Sequence, residues 1–267
     1  MSTKNNVSEA QLKFLKKHKK NKLLINIYRL LIFLVFFGFW ETSAKLKLID
    51  PFIFSSPSRI INTFTSMLLD GSIFYHTGIT LYETLLSFFL GTTLGIIIAI
   101  ILWCNKSIAK VFEPYLVVLN SLPKTALAPI LIVWLGNNMK SIIFTALSVS
   151  IIVTILNVYN GFIHVDEDKI KLIYTFNGKK KDVMKKVIIP SNIPNIISTM
   201  KVNIGLSLIG VIIGEFLAAR AGLGYLIVYG SQVFKLDWVM MSIIILALLA
   251  TALYQLIIWI ENKIKRF

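Results

Sequence analysis

The sequence predicts an all-α integral membrane protein of about six transmembrane helices, and three observations carry that prediction. Of the 267 residues, 56% are apolar and only 15% charged, whereas a soluble domain carries about a quarter charged residues. The apolar residues gather in six runs, at 23–40, 85–103, 111–135 (interrupted), 142–158, 196–217 and 239–260. Runs of about 17–25 residues match a hydrocarbon core of about 30 Å at roughly 1.5 Å per helical residue. The 28 Lys and Arg, against 13 Asp and Glu, are unevenly placed. With a cytoplasmic amino terminus, 19 of them fall in inner segments and 6 in outer ones, which places both termini inside a multi-pass protein of the cell membrane. The net charge of +15 is therefore a topology signal first, and no basic soluble face is left to bind nucleic acid.

Residues 1–22 hold seven lysines and no apolar period, so they read as a basic cytoplasmic tail, mobile or drawn to anionic lipid. The membrane-spanning body is then 23–267. The first run follows that basic stretch as a signal peptide would, yet its 18 residues exceed a usual signal core and no A-x-A site follows. It reads as a retained anchor. Ser55-Ser56-Pro57-Ser58 is a helix-start signal before Ile60, Ile61, Phe64 and Leu68, which marks a short surface helix. The third run contains Pro123 and Pro129 with Lys124 between apolar neighbours. Freed carbonyls and an ammonium both need partners in a membrane, so this span is expected to be broken and covered by protein. The lone Cys104 excludes an intrachain disulfide and a cysteine zinc site, and reads as a small core or interface residue.

Residues 159–195 form the most informative loop. Asp166 suits an N-cap, with Glu167 and Asp168 complementing the helix dipole in the first turn. A metal site from His164, Asp166 and Asp168 is the weaker reading, because carboxylates at a helix start already have a structural reason. Ile170, Ile173 and Tyr174 follow at helical spacing, then Asn177-Gly178, then a lysine-rich stretch reaching Pro190. The pattern is helix, turn, helix. Such a hairpin is either a docking element for a partner's groove or a solvated charged loop.

The stretch from Pro190, PSNIPNIISTMKVNIGLSLIGVIIGEFLAARAGLGYLI, together with SPSRII at 56–61 and EPYLVVLNSLPKTALAPILIVWLG at 113–136, resembles the membrane permease subunit of binding-protein-dependent ABC importers. The nitrate, sulfonate and taurine group is the most similar. The resemblance implies a type I importer fold, a pore of two copies, a separate ATPase subunit and an extracytoplasmic solute-binding protein. ATP would be bound by the partner, with no cofactor on this chain, and no G-x-x-x-x-G-K-[ST] string occurs here. In the family, the cytoplasmic loop carries Glu-Ala-Ala, then a Gly, then a closing Pro, and its coupling helix sits in a cleft of the ATPase. Counted back from Pro190, the Gly position falls on Asn177, beside Gly178, and the Glu-Ala-Ala positions fall on Lys171, Leu172 and Ile173. The acidic residue is absent, so Lys171 would need an acidic partner on the ATPase. Asn177 or Gly178 can supply a left-handed turn.

Asn203, Ser207, Gly210 and Gly214 put a small, weakly polar stripe on the fifth span, which serves helix packing, the translocation pathway, or both. Glu215 at the end of that span is expected to gate, to reach water, or to pair with Arg220. Gly222 and Gly224 permit a tight turn before the last span, with Tyr225 and Trp238 suited to the membrane interface. No nucleophile and base come together, so an enzyme is not expected. The remaining alternative is a stand-alone channel or secondary transporter, for which Lys124 is the one central charge. The solute, a sulfonate, nitrate or taurine-like ion or a vitamin precursor, is not readable from this chain.

Overall fold

The computed structural model describes residues 9–264. The start of the basic tail, with Lys265 and Arg266, lies outside the described residues. Every regular element among them is helical, and the chain divides into two compact units, 1–62 and 63–267.

In the first unit, α1 (Glu9–Lys45) carries the anchor. The helix takes in much of the expected tail, because residues 9–37 contain no Gly or Pro and are rich in Lys and Leu, which sustain a helix. Its apolar side chains, among them Leu30, Phe33 and Phe36, are exposed along its length, as befits a helix whose surroundings are lipid. Asp50 caps α2 (Pro51–Phe54) by accepting from Phe52 N at 2.9 Å, with Pro51 at the first position. The expected surface helix is α3 (Pro57–Leu69). Ser56 Oγ accepts from Arg59 N there at 3.4 Å.

The second unit contains α4 (Ser72–Cys104), α5 (Lys106–Ser121), α6 (Lys124–Leu135), α7 (Met139–Ile163), α8 (Glu167–Thr175), α9 (Lys180–Val183), α10 (Ile189–Ala218), α11 (Leu223–Gln232) and α12 (Leu236–Ile264). With α1, five helices are long and apolar enough to span a membrane, and α5 with α6, bent by 96° at their break, is a sixth only if the pair counts as one span rather than a re-entrant loop. The break falls at Leu122 and Pro123, where Lys124 Nζ donates to the Asn120 carbonyl. The ammonium and the freed carbonyl thus satisfy each other. Protein cover is slight, however: Ala109, Leu116 and Ala128 are buried, but Val117, Val118, Val133 and Trp134 are exposed.

Three helices, α4, α7 and α10, form the centre. Small residues let them approach. A Cβ on Gly210 would lie 2.5 Å from Ala146 Cα, and one on Gly214 2.9 Å from Ile142 Cα, so backbone meets backbone at this crossing. Hydroxyls on α7 are satisfied without water: Thr145, Ser150 and Thr154 bond the carbonyls four residues back at 2.8, 3.1 and 2.8 Å.

Two boundaries differ from the sequence expectation. Helix α4 begins at Ser72, thirteen residues before the apolar run, because the polar residues Thr80, Glu83 and Thr84 are buried against protein. Pro190 does not close the loop. Residues 184–188 form a π-helical turn that runs directly into α10, and Ile189 N bonds back to the Met184 carbonyl. A widened turn ahead of Pro190 and Pro194 absorbs the missing N–H groups without ending the helix. Cys104 is not in the core of this chain: it is exposed at the end of α4, where the chain turns into α5.

Candidate functional site

Two places on the second unit concentrate polar groups, one at each end of the α4–α7–α10 bundle.

At one end, α7 and α10 are joined by the helical hairpin. Asp166 Oδ1 accepts from Asp168 N at 2.9 Å and starts α8. At the far end, Gly178 N donates to the Ile173 carbonyl at 2.9 Å and Asn177 N to the Tyr174 carbonyl at 3.0 Å. These are the two bonds of a Schellman stop, whose left-handed residue is Asn177 at φ 60°. Gly178 is not left-handed but closely packed, since a Cβ there would lie 2.5 Å from Ile173 Cγ2. Asp182 Oδ2 then accepts from Lys179 N at 2.9 Å and opens α9.

The hairpin is apolar on two sides. Ile170 and Ile173 pack on a core of Ala99, Val158, Phe162, Val183 and Ile188. Leu172 and Phe176 face away, 56% and 78% exposed, while Tyr174 borders a cleft with Ile170, Tyr159 and Glu113. Lys171 is exposed and lies 3.3 Å from Asp168 and 3.8 Å from Glu167 on its own helix. Its acidic neighbours are therefore local, although exposed pairs of this kind are worth only about 0.2–1 kcal/mol. Pro190 sits beyond the π turn, in the first turn of α10.

Further along α10, Asn203 is fully buried, and its Nδ2 donates to Thr154 Oγ1 at 2.6 Å and Thr92 Oγ1 at 3.2 Å. It ties the three central helices together. Ser207, Gly210 and Gly214 are buried on the same side.

At the other end of the bundle, Glu215 is 1% exposed. It neither reaches water nor pairs with Arg220. Instead it accepts from Thr80 Oγ1 at 2.7 Å and from Gly224 N at 2.5 Å, because the chain after α10 folds back over it. Thr80 Oγ1 in turn accepts from Leu223 N at 2.8 Å, and His76 Nδ1 accepts from Gly222 N at 3.0 Å. Three consecutive amides of the turn are thus each held by a side chain. Gly222 makes this possible: its φ is 118°, and a Cβ would fall on the Glu215 carboxyl. Tyr225 stacks on His76 at 6.1 Å and Tyr229 lies 6.0 Å from Trp238.

Sequence reasoning missed Glu83, His76 and Thr80. Glu83 is 2% exposed beside Glu215 and borders a cleft of about 200 Å³ with Asn137, Asn138 and Arg220. The signal was available in the i, i+4 spacing of His76, Thr80 and Thr84 on one helical face. It was obscured because this stretch precedes the apolar run.

Residues 91–266 match the family described as binding-protein-dependent transport system inner membrane component. The chain belongs to that family. This inner membrane component is 28% identical over 239 residues to SsuC of Bacillus subtilis, a permease named for aliphatic sulfonates transport, covering 89% of this chain and 86% of the relative. It is likewise 28% identical to the formylaminopyrimidine transport permease protein ThiX of Halalkalibacterium halodurans, with 87% and 92% covered. Among solved structures, the inward-facing MetNI methionine ABC transporter aligns with a TM-score of 0.60 at 17% identity, covering 72% of this chain and 93% of that one. The inner membrane component therefore has the helical fold of an ABC importer permease, and its function is that of a permease subunit of such an importer.

Proposed function

We propose that two copies of this chain form the pathway for a small solute across the cell membrane, with both termini and the α8 hairpin cytoplasmic, and that a separate ATPase subunit docks on the hairpin. The observation that carries this reading is the exposed apolar face of Leu172 on α8 and Phe176 at its C-cap, on a helix capped at both ends. A rigid, capped helix with an apolar outer face has the form of an element that seats in a partner's groove. ATP-driven closure then moves the hairpin, and the π turn passes the motion into α10, which is continuous with it. Lysines around the hairpin add attraction to an acidic rim on that partner.

The second copy is supported by the exposed apolar side of the broken span. Val117, Val118, Val133 and Trp134 flank a bend whose backbone needs protein cover at membrane depth. Asn203, Ser207, Gly210 and Gly214 are turned to other helices of the same chain, which supports packing as their duty. Hydrolysis belongs to the ATPase subunit and solute capture to an extracytoplasmic binding protein. The solute is a sulfonate or similar small oxyanion, or a vitamin precursor such as a pyrimidine. Equal identity to a sulfonate permease and a formylaminopyrimidine permease supports that range and no narrower one.

Phe176→Asp is the direct test. Copurification of the native ATPase with the tagged permease is expected to fall at least tenfold while the permease itself is still inserted. Undiminished copurification, with solute-stimulated ATP hydrolysis intact, would remove the docking assignment.

A further inference from the structure

Two carboxyl groups meet inside the membrane domain at Glu83 and Glu215. Both are almost fully buried, at 2% and 1% exposure, and their side chains lie within hydrogen-bonding range of each other. Among the described residues, no lysine, arginine or histidine forms an ion pair with either. A carboxylate has only acceptor sites, so two of them can share a hydrogen bond only if one carries a proton.

The surrounding donors decide which one. Glu215 accepts from the Thr80 hydroxyl and from Gly224 N, and so has the environment of an ionised group. Glu83 has no such support: its Oε2 has no hydrogen-bond partner, although it is buried. An acceptor-only group placed there would be an uncompensated charge in a dry site, whereas the protonated acid becomes a donor with an acceptor beside it. Around the turn and its cleft lie His76, whose Nδ1 is occupied as an acceptor for Gly222 N, Tyr225 stacked on His76 and on Tyr229, and Arg220, which borders the same cleft as Glu83, with Lys140 next to the cleft residue Met139 on α7.

We propose that Glu83 and Glu215 together bind one proton, donated by Glu83 to the Glu215 carboxylate, and that this shared proton latches the turn at Gly222, Leu223 and Gly224 onto α4 and α10. The proton is taken from water through the cleft beside Glu83 and is the ligand of the site. No solute or metal is needed to hold the pair together. The turn's amides require Glu215 as an ionised acceptor, and Glu215 tolerates its burial because Glu83 supplies a donor. Loss of the proton would leave two facing carboxylates and release the turn that leads into α11. The latch is independent of which side of the membrane the turn faces and of the identity of the solute.

The test uses the purified full-length chain. Infrared difference spectra in H₂O and D₂O should show a deuterium-sensitive carboxylic-acid C=O stretch at neutral pH. Glu83→Gln should abolish it, while Glu215→Gln should keep it at a shifted frequency, since Glu83 remains protonated with a weaker acceptor. Absence of the band in the native protein, or an unshifted band in Glu83→Gln, overturns the proton site. For the latch, Ala221→Cys in a Cys104→Ser background reports the turn by its rate of maleimide labelling. Glu83→Gln, whose amide still donates, should label at the native rate and Glu83→Ala several-fold faster. Equal rates for Glu83→Ala and the native residue would remove the latch, and a native-like elution profile of Glu83→Gln shows that folding is not the cause.

Discussion

At the α8 end of the bundle, the side-chain hydrogen bonds that cap the hairpin's helices join residues two or three apart, Asp166 to Asp168 and Asp182 to Lys179, and the long-range tie from Lys180 Nζ to the Cys104 carbonyl is exposed as well. At the Glu215 end, beside the Gly224 N bond to Glu215, three bonds join residues 135 to 146 apart, between Thr80 or His76 and Glu215, Leu223 and Gly222. The first set is exposed and the second buried or half-buried. An exposed local bond competes with water and secures one helix end, so its loss is felt nearby. A buried long-range bond fixes how two distant segments sit together, so its loss leaves donors in a dry site and loosens the whole end of the bundle.

The largest expected effect separates these regimes at Gly222. Gly222→Ala combines a backbone conformation that only Gly adopts readily with a Cβ on the Glu215 carboxyl, and should cost about 3 kcal/mol or more. Thermal unfolding of the purified protein should show this as a large drop in Tm. A native Tm would mean that the turn is not fastened. Next comes Thr80→Val, which keeps the shape and removes one hydroxyl serving both Leu223 N and Glu215. The expected loss is about 1–3 kcal/mol, read in the same melting experiment, and coupling with Gly222→Ala in a double-mutant cycle would sharpen the assignment to one network.

The smallest effect belongs to the other end. Asp166→Ala removes the N-cap of α8 and should weaken that helix by about 1 kcal/mol. Amide hydrogen exchange in α8 should quicken about fivefold, with Tm unchanged. A Tm shift as large as that of Thr80→Val would erase the contrast between the two ends.

The same contrast explains what was legible beforehand. Asp166 and Asn177 were readable because a cap and a left-handed stop depend on residues a few positions away. The bend near Pro123 was readable because proline acts on its own helix. Glu83 was not readable, since its stretch is too polar to count as a span until Thr80, Glu83 and Thr84 are seen to face protein. Glu215 was noticed but given the wrong neighbour: Arg220 is close in sequence, while Thr80 is close in space.

Apolar run length, cation placement and local caps determined, from the sequence alone, that this is a helical membrane protein with a structured hairpin between two spans. Those signals are set by transfer from water to lipid and by the backbone itself, and need no knowledge of what packs on what. Only the tertiary structure decided that α4 begins at Ser72, that α10 grows out of the hairpin through a π turn, and that two carboxyls meet under a glycine turn. Each of these depends on groups far apart in the chain sharing a site without water, where one polar atom's partner is whichever helix the fold brings beside it.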